Sequence, residues 1–259
     1  MTDYLGLAAE EYFGIKADQN DLEKLHAYLL KTCGAVNAET VKKVFLSGEA
    51  AGFLTVNETY FFREPMHFSF LRGYLPGFIK SGIRICCAAV AAGCEAYSIA
   101  MLIEAYNRGI ETPVSYHIDA FDINPLVIET ARRGLYGERV LREDGSNFHY
   151  ITQPYMKKLK NGHRTEYQVD AFLKKNICFF EHNLMNELPS KGYDFIFFRN
   201  AFIYFTPQNK GRLFSNLSAA LKEGGILIMG VSETAGASPV GLENKNNGDV
   251  FYFQKPSVI

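Results

Sequence analysis

Asp122 closes the apolar segment Ala120-Phe121-Asp122-Ile123-Asn124, roughly thirty residues after a turn of very small side chains that ends at Gly93. An acid at that place in a nucleotide-binding sheet can accept both hydroxyls of a ribose. The plainer alternative is an N-cap for a helix starting at Pro125. A second candidate pair, Arg199 and Asn200, follows directly on the apolar run Phe195-Ile196-Phe197-Phe198. Polar groups at the carboxyl end of a central strand face a crevice, where Asn offers a ligand both a donor and an acceptor. The same two residues could instead only satisfy loop backbone. The five cysteines are odd in number and contain no Cys-x-x-Cys pairing, so neither a disulfide framework nor a metal site is expected.

The elements that must position these residues begin with Ile83 to Met101, which reads as strand, small-residue turn and helix. Gly93 is the only glycine of the turn, and the full Gly-x-Gly-x-x-Gly pattern is absent. Taken alone, the turn fits a ligand-binding loop and a plain strand-to-helix connection equally well. Strands expected at Ser115–Phe121, Ile177–Phe180, Phe195–Phe198 and Ile226–Val231 alternate with helices at Pro125–Arg133 and Gln208–Leu221. That alternation predicts an α/β fold with a mainly parallel sheet covered on both faces. The Asp249–Gln254 tail is expected to return as an antiparallel strand beside Ile226–Val231, after a loop rich in Gly and Asn.

Residues 1–50 predict a small helical domain, with Leu22, Leu25, Leu29 and Leu30 as the apolar stripe of a helix capped by Gly34 and a second helix at Ala38–Leu46. Residues 51–80 read as a linker and a helix over Met66–Leu75, and residues 81–259 as the main domain. Its alternation breaks between about 137 and 176, where a Lys-rich stretch with a turn at Asn161-Gly162 predicts a small β insertion. A net charge of -1 gives no broad attraction for nucleic acid or anionic lipid. No apolar run reaches membrane-spanning length and the N-terminus has acids where a secretory signal is basic, so a cytoplasmic, non-inserted protein is expected.

Four motifs in order then give a specific resemblance: Asn57-Glu-Thr-Tyr-Phe-Phe-Arg-Glu, Gly93-Cys-Glu-Ala-Tyr-Ser-Ile-Ala, Phe121-Asp-Ile-Asn with Ala131-Arg-Arg-Gly-Leu-Tyr, and Phe198-Arg-Asn-Ala-Phe-Ile-Tyr-Phe. From Asn57 onward the chain resembles the chemotaxis-receptor glutamate methyltransferases of the CheR type. The resemblance implies a class I methyltransferase-like, Rossmann-like sheet with an antiparallel C-terminal strand. It also implies S-adenosylmethionine as cofactor, S-adenosylhomocysteine as product and a chemoreceptor's cytoplasmic methylation region as partner. By the same resemblance Asn57, Thr59 and Arg63 wrap the cofactor from the linker side, Ala89, Gly93 and Glu95 belong to the turn, and Asp122 takes the ribose. Asn183 and Leu184 match residues beside the adenine, and Arg199 and Asn200 match residues near the methionine end. Arg63 and Tyr204 match the side chains that meet the acceptor. Such a carboxylate needs no general base, because Glu is already ionised near neutral pH at a reference pKa of about 4.3.

The chain departs from this family's pattern in two places. Where the family has Gly-Glu-Glu-Pro-Tyr-Ser, this chain has Gly93-Cys94-Glu95-Ala96-Tyr97-Ser98, which removes an acid and a proline. Cys94 is then either a reactive thiol near a helix N-terminus or a small packed side chain. Residues 1–50 are acidic where the family offers its receptor a basic face, and the glycine feature by which some members bind a receptor tail is missing between Tyr150 and Asn176. Two alternatives therefore stand beside the enzyme: a non-catalytic module that binds the cofactor and signals, and a methyltransferase with a different acceptor.

Overall fold

The computed structural model describes residues 2–142, 149–162, 164–233 and 239–257. Residues 143–148 and 163 of the expected insertion lie outside the described residues. The chain opens with helices α1 (Thr2–Ala8), α2 (Gln19–Cys33), α3 (Ala38–Leu46) and the single turn α4 (Ala51–Leu54). Local chemistry fixes their ends. Asp18 caps α2 by accepting from the Asn20 amide, Gly34 ends it in the left-handed region, and Asn37 with Thr40 forms a capping box on α3. Leu22, Leu25 and Leu29 are buried as their spacing predicts, whereas Leu30 sits on the solvent side of the helix, 47% exposed.

Helix α5 (Pro65–Tyr74) leads into the sheet, built from β1 (Ile83–Ala88), α6 (Cys94–Asn107), β2 (Tyr116–Asp122), α7 (Pro125–Arg133) and the insertion. The insertion holds β3 (Leu135–Gly137), the one-turn α8 (His149–Thr152), β4 (Met156–Asn161), β5 (Arg164–Val169) and the one-turn α9 (Ala171–Lys174). Its strands form a separate antiparallel sheet in the order β3-β5-β4. The chain then continues with β6 (Ile177–Glu181), β7 (Tyr193–Phe198), α10 (Pro207–Ala220), β8 (Leu221–Met229), β9 (Glu243–Asn247) and β10 (Val250–Gln254).

The main sheet has the order β6-β2-β1-β7-β8-β10-β9, with β10 antiparallel to both its neighbours. The tail strand is therefore placed as expected against β8, but the Gly- and Asn-rich loop contains a further edge strand, β9. Strand progression runs outward one way from β1 to β2 and β6, and the other way from β7 to β8, so the order reverses between β1 and β7. Ligands of open α/β sheets bind at the carboxyl ends of strands at such a reversal.

Alternating side chains of the central strands feed two separate cores, because successive residues of a strand point to opposite faces. Ile85, Cys87, Phe195 and Phe197 pack with α5, α6 and the insertion, while Cys86, Ala88, Ile196 and Phe198 pack with α10 and with Leu5, Phe13, Leu25 and Phe45 of the N-terminal helices. Burial on both faces explains why β1 and β7 read as continuous apolar runs rather than alternating ones. The N-terminal helices thus form, together with α10, one of the two layers over the sheet. Gly48 brings them so close to the β2 loop that a Cβ there would stand 2.2 Å from the Ile123 carbonyl oxygen.

Candidate active site

One cleft of about 280 Å³ opens at the carboxyl ends of β1, β2, β6 and β7, where the strand order reverses. Asn57, Thr59, Arg63, Ala89, Glu95, Asp122, Asn183, Leu184, Arg199, Asn200 and Tyr204 all line it. Gly93 does not. It caps α6 behind the cleft at φ 88°, where a Cβ would stand 2.7 Å from the Ala131 methyl, so it sets how closely helix and sheet pack. The first turn does the work of a glycine loop with alanines: Ala89 and Ala91 hold φ of 57° and 49°. The other described non-glycine residues with positive φ are Asn200, which lines the cleft, and Phe62 and Glu64, which flank Arg63. Backbone held in this region costs about 1–3 kcal/mol per residue and clusters where function requires it.

Asp122 is buried, and its carboxylate accepts from the Ala91 amide at 2.9 Å and the Asn124 amide at 3.0 Å. It does not cap α7, because Asn124 fills that role by accepting from the Leu126 amide. Burial pushes the Asp122 carboxyl above its ordinary value, and the amides of Asn124, Ala91 and Ile123 oppose that rise. The result is a carboxylate pinned between two loops with acceptor capacity to spare. The Asn183 side chain, by contrast, is occupied by the protein: it accepts from the Met185 amide and donates to the Tyr12 carbonyl at 2.6 Å. It latches the N-terminal layer to the cleft wall.

Arg199 is the centre of a buried charge cluster. Its guanidinium pairs with Glu95 at 2.8 Å and Glu64 at 3.1 Å, and donates to the Arg63 carbonyl. Burial alone would raise Glu64, but Arg199, the Asn200 amide group and His67 outweigh it and hold it below the usual carboxylate range. Burial pushes Glu95 up despite the Arg199 charge beside it. His67 on α5 has Nδ1 3.3 Å from Glu64 without hydrogen-bonding geometry, and burial together with the Arg199 charge pushes its imidazole down to about 4.

Sequence reasoning missed Glu64 and Glu233. Glu233 is 3% exposed, lines the cleft, and its two oxygens accept from the amides of Asn200, Phe202 and Gly230. It fixes the strained turn that carries Arg199, Asn200 and Tyr204. Phe13 and Ile15 of the N-terminal layer also line the cleft, and Ile15 bridges to Phe205 beside Tyr204. Nothing local in the sequence marked Glu233, Phe13 or Ile15.

At the mouth, Tyr204 is half-buried and its hydroxyl accepts from the Val56 amide at 3.0 Å. With that acceptor position used, its proton is left to point at another group. Arg63 donates to the Glu58 carbonyl at 3.2 Å and stands over the Tyr60 ring. Cys94 is fully buried, and burial pushes its thiol up to about 12 against an opposing hydrogen bond from Thr59. It is a packed side chain in this fold, not a thiolate.

The residues present fit S-adenosylmethionine. Among the described residues, Arg199 Nε and His182 Nε2 are buried polar atoms of cleft-lining side chains with no hydrogen-bond partner, and a polar ligand would supply the missing ones. Asp122 suits a ribose diol, and the carboxylates of Glu64 and Glu95 around Arg199 suit the charged end of an amino acid.

The sequence profile described as CheR methyltransferase, SAM binding domain, matches residues 57–247. A chemotaxis protein methyltransferase of Borreliella burgdorferi is 35% identical over 192 residues, which cover 70% of this chain and 65% of that protein. One of Listeria monocytogenes is 30% identical over 211 residues, covering 80% of this chain and 76% of the relative. Among solved structures, an O-methyltransferase family protein from Burkholderia thailandensis has a TM-score of 0.43 at 12% identity, over 85% of this chain and 61% of that one.

Proposed function

The chain belongs to the CheR methyltransferase family and carries its S-adenosylmethionine-binding domain, and from that premise we propose that it methylates glutamate side chains in the cytoplasmic methylation region of a chemoreceptor. The observation that carries this reading is the meeting, in one cleft, of Asp122, the Arg199 cluster and an acceptor pair, Arg63 and Tyr204. No described helix is long and apolar enough to cross a membrane.

When bound, S-adenosylmethionine supplies an electrophilic sulfonium methyl group. Asp122 holds the ribose end, and Glu64, Glu95 and Arg199 hold the amino-acid end. Leu184 and the backbone beside Asn183 form the wall at the adenine end. Asn57 and Thr59, on the linker, complete the cleft on the side of the mouth. The acceptor carboxylate is already ionised, so no residue has to remove a proton. Tyr204 would donate a hydrogen bond to one carboxylate oxygen and Arg63 would offer a guanidinium, which leaves the second oxygen unblocked as the nucleophile. Correct placement of two reactants can supply about 7–11 kcal/mol of the barrier. Positive and negative charge cancel as the methyl moves, so the apolar walls made by Phe13, Ile15, Phe68 and Phe121 favour the transition state over the separated charges.

The acidic residues 1–50 would meet an acidic receptor with like charge. The reading therefore gives docking to the exposed side chains of Lys157, Lys158 and Lys160 on β4, with Arg164 at the start of β5. The test is incubation of the protein with methyl-labelled S-adenosylmethionine and receptor-containing membranes. Base-labile label on the receptor supports the reading. Tight product binding with no transfer supports a cofactor-sensing module, and label on another protein supports a different acceptor.

A further inference from the structure

Two guanidinium groups stand against the Tyr60 ring at the mouth of the cleft. Arg142 stands 4.5 Å from the ring centroid and Arg63 5.6 Å. Their placement is built by the backbone: the Phe61 amide donates to the Val140 carbonyl at 2.9 Å, which binds the linker to the chain leading to Arg142. The Phe61 ring adds an edge contact with Tyr136 at 5.4 Å. Arg142 spends part of its guanidinium on an ion pair with Glu58, yet its side chain remains 46% exposed. A guanidinium carries five N–H donors, so both arginines keep donors for a partner. Tyr60 and Glu58 line the cleft with Arg63, whereas Arg142 sits outside its lining.

Two like charges are held around one ring here because the ring face attracts each of them and Glu58 offsets one. The cluster is positive at the mouth of a chain whose net charge is -1. We propose that Arg142, acting with Arg63 at Tyr60, selects acceptors that carry a further carboxylate beside the one to be methylated. Arg63 addresses the reacting group, and Arg142 exchanges Glu58 for the neighbouring acid of an acidic peptide segment. This deepens the methyl-transfer reading and rests on it for the identity of the reacting group.

The test is the dissociation constant of a soluble, acidic cytoplasmic fragment of a chemoreceptor, measured in the presence of S-adenosylhomocysteine so that no turnover intervenes. Arg142→Gln is expected to weaken fragment binding about three- to tenfold and to flatten its dependence on salt, as loss of a rim charge does. Its affinity for S-adenosylhomocysteine stays at the wild-type value. Glu58→Gln is expected to keep or improve fragment binding, because it releases Arg142. Equal weakening by both variants would make the ion pair a brace for the linker and overturn the proposal, as would equal binding by wild type and Arg142→Gln or no binding by wild type. Fragment that binds with the expected pattern but receives no methyl group would leave this selection intact and count against methyl transfer instead.

Discussion

At the scale of single residues, the ribose contact proposed for Asp122 can be separated from the two amide bonds that its carboxylate accepts. Asp122→Asn keeps the size but loses the charge offered to the ribose, and affinity for S-adenosylhomocysteine should fall by about 1.5–3 kcal/mol by calorimetry. Asp122→Ala should also lower stability in urea, because the Ala91 and Asn124 amides lose their acceptor. An unchanged affinity in the folded Asn variant would remove the ribose assignment. Tyr204 gives the complementary case. Tyr204→Phe leaves the ring in place but removes the proton that the Val56 amide leaves free to point outward, so turnover should fall roughly tenfold or more while product affinity changes little. Equal loss of both would mean that the hydroxyl organises the cleft rather than the acceptor.

Among elements, α5 is docked by a histidine that must stay neutral. Burial beside Arg199 pushes His67 down to about 4 from its ordinary 6.5, so between those values the unfolded chain holds a proton on this residue that the folded chain does not. Stability from neutral His67 is therefore complete above 6.5 and lost as the pH falls toward 4, by up to about 3 kcal/mol. Asp122, Glu95 and Glu233 are raised by burial and act in the opposite sense, while Glu64 is held low partly by His67 itself, so the difference between wild type and His67→Leu reads the His67–Glu64 pair together. Urea unfolding across that window should show a shallower loss in the variant on acidification, and parallel curves would refute the mechanism. Much of this scaffold was legible in the sequence because the strands and helices around the cleft carry their periods and caps locally. Asn124-Pro125 starts α7 and Gly134 ends it without tertiary help. The strand β9 was not legible, since it is an edge strand whose residues are nearly all exposed and so show no apolar alternation. Glu64, Glu233, Phe13 and Ile15 escaped for a different reason: each reaches the cleft only through long-range packing, which no local pattern encodes.

For the whole molecule, the acidic N-terminal layer and the basic β insertion divide the tasks. The helices of residues 2–54 brace the cleft through Gly48, Asn183 and the Ile15 bridge, and the insertion presents the lysines. Reversing Lys157, Lys158 and Lys160 to Glu should weaken receptor methylation severalfold at low salt and flatten its salt dependence, with folding and product binding retained. Equal rates for this variant and wild type at low and moderate salt would move the docking surface elsewhere. The most direct measurement of the central claim is mass spectrometry of receptor peptides after incubation with the protein and S-adenosylmethionine. The expected result is a methyl ester on glutamate side chains, formed by wild type and strongly reduced with Tyr204→Phe. Receptor glutamates that stay unmodified while wild-type protein binds S-adenosylhomocysteine, or a methyl group found on any other side chain, would contradict it.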